Sequence, residues 1–450
     1  MKTNFTCSSF LTPPIMRGLI LTVLFIGNSV WATFDHTPKQ LSLNQVIETA
    51  LENNPEIAAR TYEQRAADAR YDMAFSSRLP HVNLHSSIAQ YHEDRMITPR
   101  RPGDGDTLQY TDQPLTGDVI VRMPLFTGGR LINESRAAKL LYDAAGHQLT
   151  RNREELVFNV SSIFYNILAQ RHAIEALEFS QKTLQEHCSR IKELILAKKA
   201  ATVDLLRTEV RLSTLEHHLT QQKNILAIQN RLLSNLMGVP YTTNGASVVT
   251  GKLEPGTETV PNIGTGLNNA LLSRPDYLAA QATLSARERE MHAARALRSP
   301  SVSIKGAWGN QWDTHDSEQN NETSSIMLEI DLPVFAGGYI RAKVREKRAI
   351  QSAAFEKLRQ LELQIQLDVE TAVLNINSSS ERVLATGKSI EQAKESLRIE
   401  REKHAYAKGS VTDVLDAQSA LLEAQMNYYR SLADYQTAHA QYQLAVGENF

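Results

Sequence analysis

The sequence of 450 residues is poor in aromatics, glycine, proline and cysteine. With 6% aromatic residues, 21 glycines and 15 prolines, it lacks the composition of a large all-β protein, so we expect helices to dominate. It has no run of about 18 apolar residues, which excludes transmembrane helices. The 48 basic and 50 acidic residues leave a net charge of −2, so no general basic field predicts binding to nucleic acid.

The beginning of the chain has the pattern of an export signal over 1–32. Basic residues precede a short apolar run, and Val30-Trp31-Ala32 places small residues where a signal peptidase cleaves. We therefore expect an exported chain cleaved after Ala32, with Met16 as a second candidate start; a buried N-terminal helix is the alternative. Cleavage would remove Cys7 and leave Cys188 alone, so we expect no internal disulfide.

The remainder of the sequence repeats once. Four short motifs recur in the same order, which predicts a tandem duplication. The matching segments are 54–59 with 274–279, 78–82 with 298–302, 124–129 with 333–338, and 204–206 with 413–415. We place the first copy at 33–238 and the second at 265–450, joined by a linker rich in proline and glycine at 239–264.

Each copy has the same predicted order of elements. A helix, at 41–78 in the first copy, comes before two segments with an apolar residue at every second position, which indicates strands with one apolar face. Polar loops at 92–117 and 312–323 separate the strands, so each copy contains one β-hairpin. The strand patterns lie at 82–88 and 118–123 in the first copy, and at 302–308 and 326–332 in the second.

After the strands, each copy has a very long apolar repeat with alternating spacings of four and three residues. From about Leu131 to Lys198 it predicts a helix of roughly 100 Å, packed lengthwise against others as in a coiled coil. Breaks at Ala200 and at Gly409 return the chain as second helices, at 203–237 and 411–446. The prediction is two very long antiparallel helical hairpins.

Four strands per chain are too few to close a barrel. Since lipid does not tolerate open sheet edges, spanning a membrane would require several chains to share one barrel, with the helices continuing from it as a tube. The alternative is a soluble periplasmic coiled-coil scaffold or adaptor with a small sheet. The two hypotheses differ at Ile326, Leu328, Ile330 and Leu332, which would face lipid in a channel and a protein core in a scaffold.

These motifs resemble the outer-membrane efflux protein family, the TolC-like outer-membrane factors. The resemblance rests on the duplicated Pro-(Leu/Val)-Phe-x-Gly-Gly turns, on the Asn54-Pro55 and Arg274-Pro275 starts of the copies, and on 409–418. It implies a mainly α fold with a β-barrel portion: a homotrimer with a 12-stranded barrel in outer-membrane lipid, standing on a long periplasmic α-helical barrel with the linker at its equator. The turns that join barrel to helices would be formed by Pro124, Gly128, Gly129, Pro333, Gly337 and Gly338.

The resemblance further implies a function and partners. The chain would be the passive exit duct of a tripartite efflux or type I secretion system, in the outer membrane of a Gram-negative-type cell. A periplasmic adaptor (a membrane fusion protein) and an inner-membrane transporter would open it. Lys198, Lys199, Ala200 and Gly409 lie at the helix tips, where an adaptor would dock; alternatively, the lysines only complement the end of a helix.

The periplasmic entrance is implied in the same way. Asp413 and Asp416 match aspartates that form the narrowest ring in the family, and Tyr406 matches a tyrosine that helps to hold the entrance shut. Three-fold symmetry would make each aspartate a ring of three carboxylates that attracts cations. The alternative is that Asp413 only caps its helix. The tip turn from Gly409 is two residues shorter than in TolC and lacks its arginine, so the detailed latch is not carried over.

Enzyme motifs are missing. No nucleophile elbow, HExxH motif or paired-cysteine metal motif occurs, and Gly387-Lys388-Ser389 lacks the first glycine of a phosphate-binding loop. We therefore expect neither an enzyme nor a cofactor or metal site, and the sequence does not identify the exported cargo.

Overall fold

The computed structural model describes residues 40–96, 110–199, 201–240, 248–256, 260–315, 320–406 and 408–448. The predicted signal segment and Ala200 lie outside these residues. The chain is mostly helical, and none of the helices in the described part is long and apolar enough to cross a lipid bilayer.

The helices and long strands of the two copies follow in the same order, so the predicted duplication of helical hairpins and β-hairpins is confirmed. The first copy consists of β1 (Gln40–Leu41), α1 (Leu43–Asn53), α2 (Pro55–Ser76), β2 (His81–Ile88), β3 (Arg95–Met96), β4 (Tyr110–Thr111), β5 (Pro114–Phe126), α3 (Arg130–Leu196) and α4 (Thr202–Leu236). Strand β6 (Val248–Val249) lies in the segment between the copies, and the second copy follows with α5 (Ile263–Ser273), α6 (Pro275–Ala296), β7 (Ser301–Asp313), β8 (Asn320–Asp331), α7 (Tyr339–Ala405) and α8 (Val411–Val446). Helices α3 and α7 have 67 residues each.

The predicted continuous helix at 41–78 is wrong, because the chain divides it into α1 and α2 at Asn54. Pro55 lacks an N–H and disfavours helical geometry in the residue before it, and Asn54 accordingly has extended angles of φ −66° and ψ 123°. The Asn54 side chain then caps α2 by accepting hydrogen bonds from the N–H groups of Glu56 and Ile57.

The four long strands form one antiparallel sheet in the order β2-β5-β7-β8, so the two predicted hairpins are confirmed and lie side by side. The predicted loops were too long. Strand β5 already begins at Pro114, β7 continues to Asp313, and β8 begins at Asn320. Apart from Pro114, Leu115 and Trp312, these strand ends are polar or small, so their sequence resembles a loop. Thr116 and Ser87, for example, hydrogen-bond through their hydroxyls across β5 and β2.

The long helices stand in a single row. Near the sheet the order is α2-α3-α6-α7, and farther from it α4-α3-α8-α7. The predicted apolar stripe is confirmed as the core of this row. Its buried members are Leu156, Val160, Ile167, Ile174, Leu177, Leu184, Cys188 and Ile191 in α3, and Ile365, Val369, Ala372, Ile376, Val383 and Leu397 in α7.

The segment between the copies packs on this row. Strand β6 pairs in parallel with β1, which brings the end of the first copy back to its beginning. Farther along, Gly251 lies against Phe164 and Leu168 of α3, and Gly256 lies so close to the Tyr435 ring of α8 that any larger residue would collide with it.

Candidate functional site

The sheet has one apolar and one polar face. Directly opposite residues of neighbouring strands share a face, so the register places the two sets unambiguously. The apolar set is Val82, Leu84 and Ile88 of β2, Leu115, Val119, Val121 and Met123 of β5, Val302, Ile304, Trp308 and Trp312 of β7, and Ile326, Leu328 and Ile330 of β8. The polar set includes His85, Ser87, Thr116, Asp118, Arg122, Ser303, Lys305, Gln311, Thr323 and Glu329.

The apolar face is uncovered in the single chain. Leu84 and Ile326 are 81% and 84% exposed, as no helix or loop of the described chain covers them. Aromatic side chains lie at both ends of this face, with Phe126 beside Val302 at one end and Trp312 at the other. Ten residues of strand tilted by roughly 40° rise about 26 Å, close to the height of an outer-membrane apolar band between its aromatic girdles.

The turns between sheet and long helices use glycines in the left-handed conformation. Gly128 and Gly129 have φ of 63° and 82°, and Gly337 and Gly338 have φ of 57° and 86°. A side chain at Gly128 would also collide with Ser299, which belongs to the second copy of the same chain. Pro124 lies at an irregularity in the pairing of β5 with β7, and Pro333 follows the end of β8. The same backbone geometry thus starts α3 and α7.

The four-stranded sheet and the row of helices are both open at their two ends, where the last element has a neighbour on one side only. Strands β2 and β8 each have one partner in the four-stranded sheet. The helices at the ends of the row, α4 and α7, expose large apolar side chains, whereas α8, which the structure describes over its whole length, exposes none. The exposed side chains include Leu206, Val210 and Ile228 of α4, and Leu363, Leu367, Leu374 and Leu384 of α7.

At the second helix tip, Asp413 belongs to a capping box. Its carboxylate accepts a hydrogen bond from the N–H of Ser410 at 3.2 Å, and Ser410 Oγ accepts one from the N–H of Thr412 at 3.1 Å. Asp413 and Asp416 are both exposed. Tyr406 directly follows α7 as its C-cap and is 76% exposed, without a side-chain hydrogen bond to the described residues of its own chain.

The two tips have different backbones. Lys198, with φ of 59°, has the left-handed conformation at the first tip, and both Lys198 and Lys199 are exposed. At the second tip Gly409 instead allows close approach, since a Cβ there would lie 3.0 Å from Cβ of Lys403. Near the tips, Arg207 of α4 contacts the Thr412 hydroxyl of α8 at 3.4 Å.

A buried charge network ties four helices together near the middle of the row. Arg274, 2% exposed, donates to both carboxylate oxygens of Asp276 at 3.0 and 2.7 Å. It also donates to Asp368 of α7 at 3.0 Å and to the carbonyl of Ala445 in α8 at 3.2 Å. Burial alone would raise the pKa of Asp276, but the hydrogen bonds and charge of Arg274, aided by Arg151 of α3, hold this pKa below its ordinary value.

Sequence reasoning treated Arg274 only as part of a repeated motif, yet it is an anchoring residue. In the first copy, Asn54 makes the corresponding contact by donating to the carbonyl of Leu236 at 2.8 Å. The residue pairs Leu236 and Ala445, and Gly238 and Gly447, are each 209 positions apart, so the repeat offset contained the signal. Both glycines have positive φ, 69° and 73°, and end α4 and α8 against these anchors.

His187 and Cys188 are neighbouring titratable groups in the tip half of α3. His187 of α3 lies edge-on to His404 of α7, with ring centroids 6.2 Å apart. Burial, together with the charges of His404, Arg190 and Arg401, lowers the pKa of His187. Burial also raises the pKa of the Cys188 thiol, as expected for a core cysteine. Within the described ranges, no group of three or more His, Cys, Asp or Glu side chains is placed to hold a metal ion.

Comparison with known proteins finds one matching family along nearly the whole described chain. The sequence profile described as Outer membrane efflux protein matches residues 46–239 and 266–448. Nodulation protein T of Rhizobium leguminosarum bv. trifolii is 20% identical over 410 residues, which cover 91% of this chain and 86% of the relative. Cation efflux system protein CusC of Escherichia coli O157:H7 is 24% identical over 436 residues, covering 92% and 88%.

The fold has a solved counterpart. The crystal structure of the Campylobacter jejuni CmeC outer membrane channel has a TM-score of 0.79 to this chain at 18% identity, covering 90% of this chain and 85% of the other. Its likeness supports the predicted fold class of long helical hairpins joined to a β-sheet portion.

Proposed function

This chain belongs to the outer membrane efflux protein family, and from that membership we propose that it forms the outer-membrane exit duct of a tripartite export machine. The observation that carries the proposal is the two-faced sheet with open edges, continuous with a row of helices about 100 Å long. In lipid such a sheet is stable only when its edges are paired.

We propose that three identical chains together close the barrel. Edge β8 of one chain would pair with β2 of the next, and four strands from each of three chains would give a barrel of 12. The same closure would cover the apolar side chains that α4 and α7 expose. Cargo would then pass along the polar face, while the apolar face contacts outer-membrane lipid.

Adjacent residues of β8 test the orientation of the sheet. In a chain with Cys188→Ala, we would attach a fluorophore to Leu328→Cys on the apolar face or to Met327→Cys on the polar face. The duct predicts that spin-labelled lipid quenches the first fluorophore and that aqueous iodide quenches the second. Electron microscopy of protein from the outer-membrane fraction should show a three-fold tube. A soluble monomeric rod, with neither fluorophore quenched by lipid, would overturn the proposal in favour of a scaffold.

We propose the helix tips as the docking surface for a periplasmic adaptor and, with it, an inner-membrane transporter. Lys198, Lys199, Ala200 and Gly409 are the candidate contacts, and the exposure of the two lysines supports this choice. A photo-crosslinking residue at Lys199 should capture the adaptor in cells. The same residue at Lys139, roughly 90 Å away along α3, serves as the control. Equal capture at both positions would contradict tip docking.

We also propose that Asp413, Asp416 and Tyr406 surround the periplasmic entrance, with three carboxylates at each aspartate level. Because Asp413 also caps α8, the charge must be tested apart from the cap. Asp413→Asn with Asp416→Asn keeps a capping oxygen and removes the charge, whereas Asp413→Ala with Asp416→Ala removes both. An entrance ring predicts that both pairs weaken cation selectivity and cation block in bilayer recordings. Unchanged selectivity in the asparagine pair would leave Asp413 with a capping role only.

A further inference from the structure

A row of basic side chains crosses the polar face of the sheet near the long helices. His81 of β2 lies opposite Arg122 of β5, and Arg122 lies opposite Lys305 of β7. Met327 of β8 completes the row. Within the row, Lys305 lies four residues after the start of β7, and Arg122 lies four residues before the end of β5. The row is therefore close to the level at which α3 begins.

In the described part of the chain, no carboxylate forms an ion pair with this basic row, and Glu329 lies diagonally across from Lys305 at about 7–8 Å. Among the described residues, neither Arg122 nor Lys305 makes an ion pair or a side-chain hydrogen bond, although carboxylates lie on the same face. Glu329 lies opposite Ser303, one level nearer the helices, and contacts the Ser303 hydroxyl at 3.5 Å. Asp118 lies four residues along β5, roughly 13 Å from the row. Like charges directly opposite each other on neighbouring strands are destabilising, so the arrangement is costly for the isolated sheet.

Closure of the barrel changes what this row faces. If the proposed three-chain duct forms, on which this inference rests, three copies of Arg122 and Lys305 surround the lumen at one level. Neighbouring strands are about 4.8 Å apart, less than the screening length of about 8 Å at physiological salt, so the charges act together. A guanidinium beside an ammonium suits carboxylate, phosphate or sulfonate groups.

We propose that Arg122 and Lys305 form a positively charged belt at the inner mouth of the barrel, which binds anionic groups and favours the passage of anionic solutes. The belt acts on cargo independently of the entrance at the helix tips, because the length of α3 separates the two.

Binding of inositol hexakisphosphate to the full-length protein in detergent tests the belt. Isothermal titration at low salt should give one polyanion per three chains, and the neutral pair Arg122→Gln with Lys305→Gln should bind at least about tenfold more weakly. The charge-keeping pair Arg122→Lys with Lys305→Arg should bind as the unmodified protein does. Lys182→Gln with Lys388→Gln removes as much charge from exposed sites far along α3 and α7, and should leave binding unchanged.

Electron microscopy of the same samples separates the two ways in which the inference can fail. A three-fold tube whose neutral pair binds the polyanion as tightly as the unmodified protein would overturn the belt and leave the duct intact. A protein that forms no tube would overturn the duct and the belt together. If the neutral pair does not assemble, the single variants Arg122→Gln and Lys305→Gln take its place, each with an expected loss of about threefold.

Discussion

Replacing Arg274 by methionine should loosen the start of the second copy strongly. The substitution keeps an unbranched side chain in the cavity but removes three hydrogen bonds to carboxylates and one to a carbonyl. Breaking a buried ion pair from one side costs about 3–5 kcal/mol. Asp276 and Asp368 retain 23% and 33% exposure and so recover part of their hydration. We therefore expect a value near the lower end, about 3 kcal/mol.

Amide hydrogen exchange measures this effect locally. A loss of about 3 kcal/mol should accelerate exchange in α5 and α6 by about a hundredfold, provided that these helices open and reclose faster than the opened amides exchange. Helices α1 and α2 are the internal control, since the first copy uses Asn54 for the corresponding contact.

A rescue variant tests whether charge is the cause. Adding Asp276→Asn and Asp368→Asn to Arg274→Met removes the carboxylates that the substitution leaves unpaired, and should recover most of the protection. Exchange that stays within a few-fold of the unmodified protein in Arg274→Met, or a rescue variant as unprotected as Arg274→Met itself, would refute the reasoning.

Three further predictions concern helix ends. Gly447→Ala should lower the free energy of unfolding by about 2 kcal/mol and Gly337→Ala by about 1 kcal/mol, both measured by thermal melting in detergent. Both glycines have positive φ, but only a side chain at Gly447 would crowd a neighbouring backbone. Equal losses of stability would contradict this prediction. Ser410→Ala should cost about 1 kcal/mol and speed amide exchange in the first turn of α8, as a lost N-cap does. Lowering the pH from about 7.5 to 5.5 should lower the protection factors of the amides at the tip ends of α3 and α7, measured against the intrinsic exchange rate at each pH. His187 is protonated at its ordinary pKa of about 6.5 when exposed, but burial lowers this pKa, so acid favours the open state. His187→Leu should abolish that pH dependence of the protection factors.

Much of the architecture was predictable because it depends on long-range periodicity. The apolar stripe of α3 continues for dozens of residues, and the Gly-Gly turn before it recurs before α7, so helix length, hairpins and duplication follow from the sequence alone. Strand ends were harder to predict. Thr116 and Gln311 are polar because they lie on the polar face of the sheet. A strand segment with few apolar residues at alternate positions resembles a loop in the sequence.

The tertiary contacts do not follow from any local sequence pattern, although the repeat offset relates those of the two copies. Arg274 is buried because a carboxylate 94 positions away and the carbonyl of Ala445 converge on it, and no local pattern specifies that convergence. Similarly, the left-handed residue at the first tip is Lys198, for which composition suggests no special backbone. The capping role of Asp413 was predictable as one alternative, because Ser410-x-x-Asp413 has the spacing of a capping box.

The side-by-side order of the two copies affects how a ring would assemble. The joint between β5 and β7 inside one chain is the same kind of contact as the joint that closure would create between β8 of one chain and β2 of the next. Half of the six joints in a three-chain ring would thus form within a chain, where the segment between the copies keeps the partners at an effective concentration in roughly the millimolar range. Of the three joints between chains, two would form when separate molecules meet, and the third would form as the ring closes. The tether thus removes half of the joints from the concentration-dependent steps of assembly.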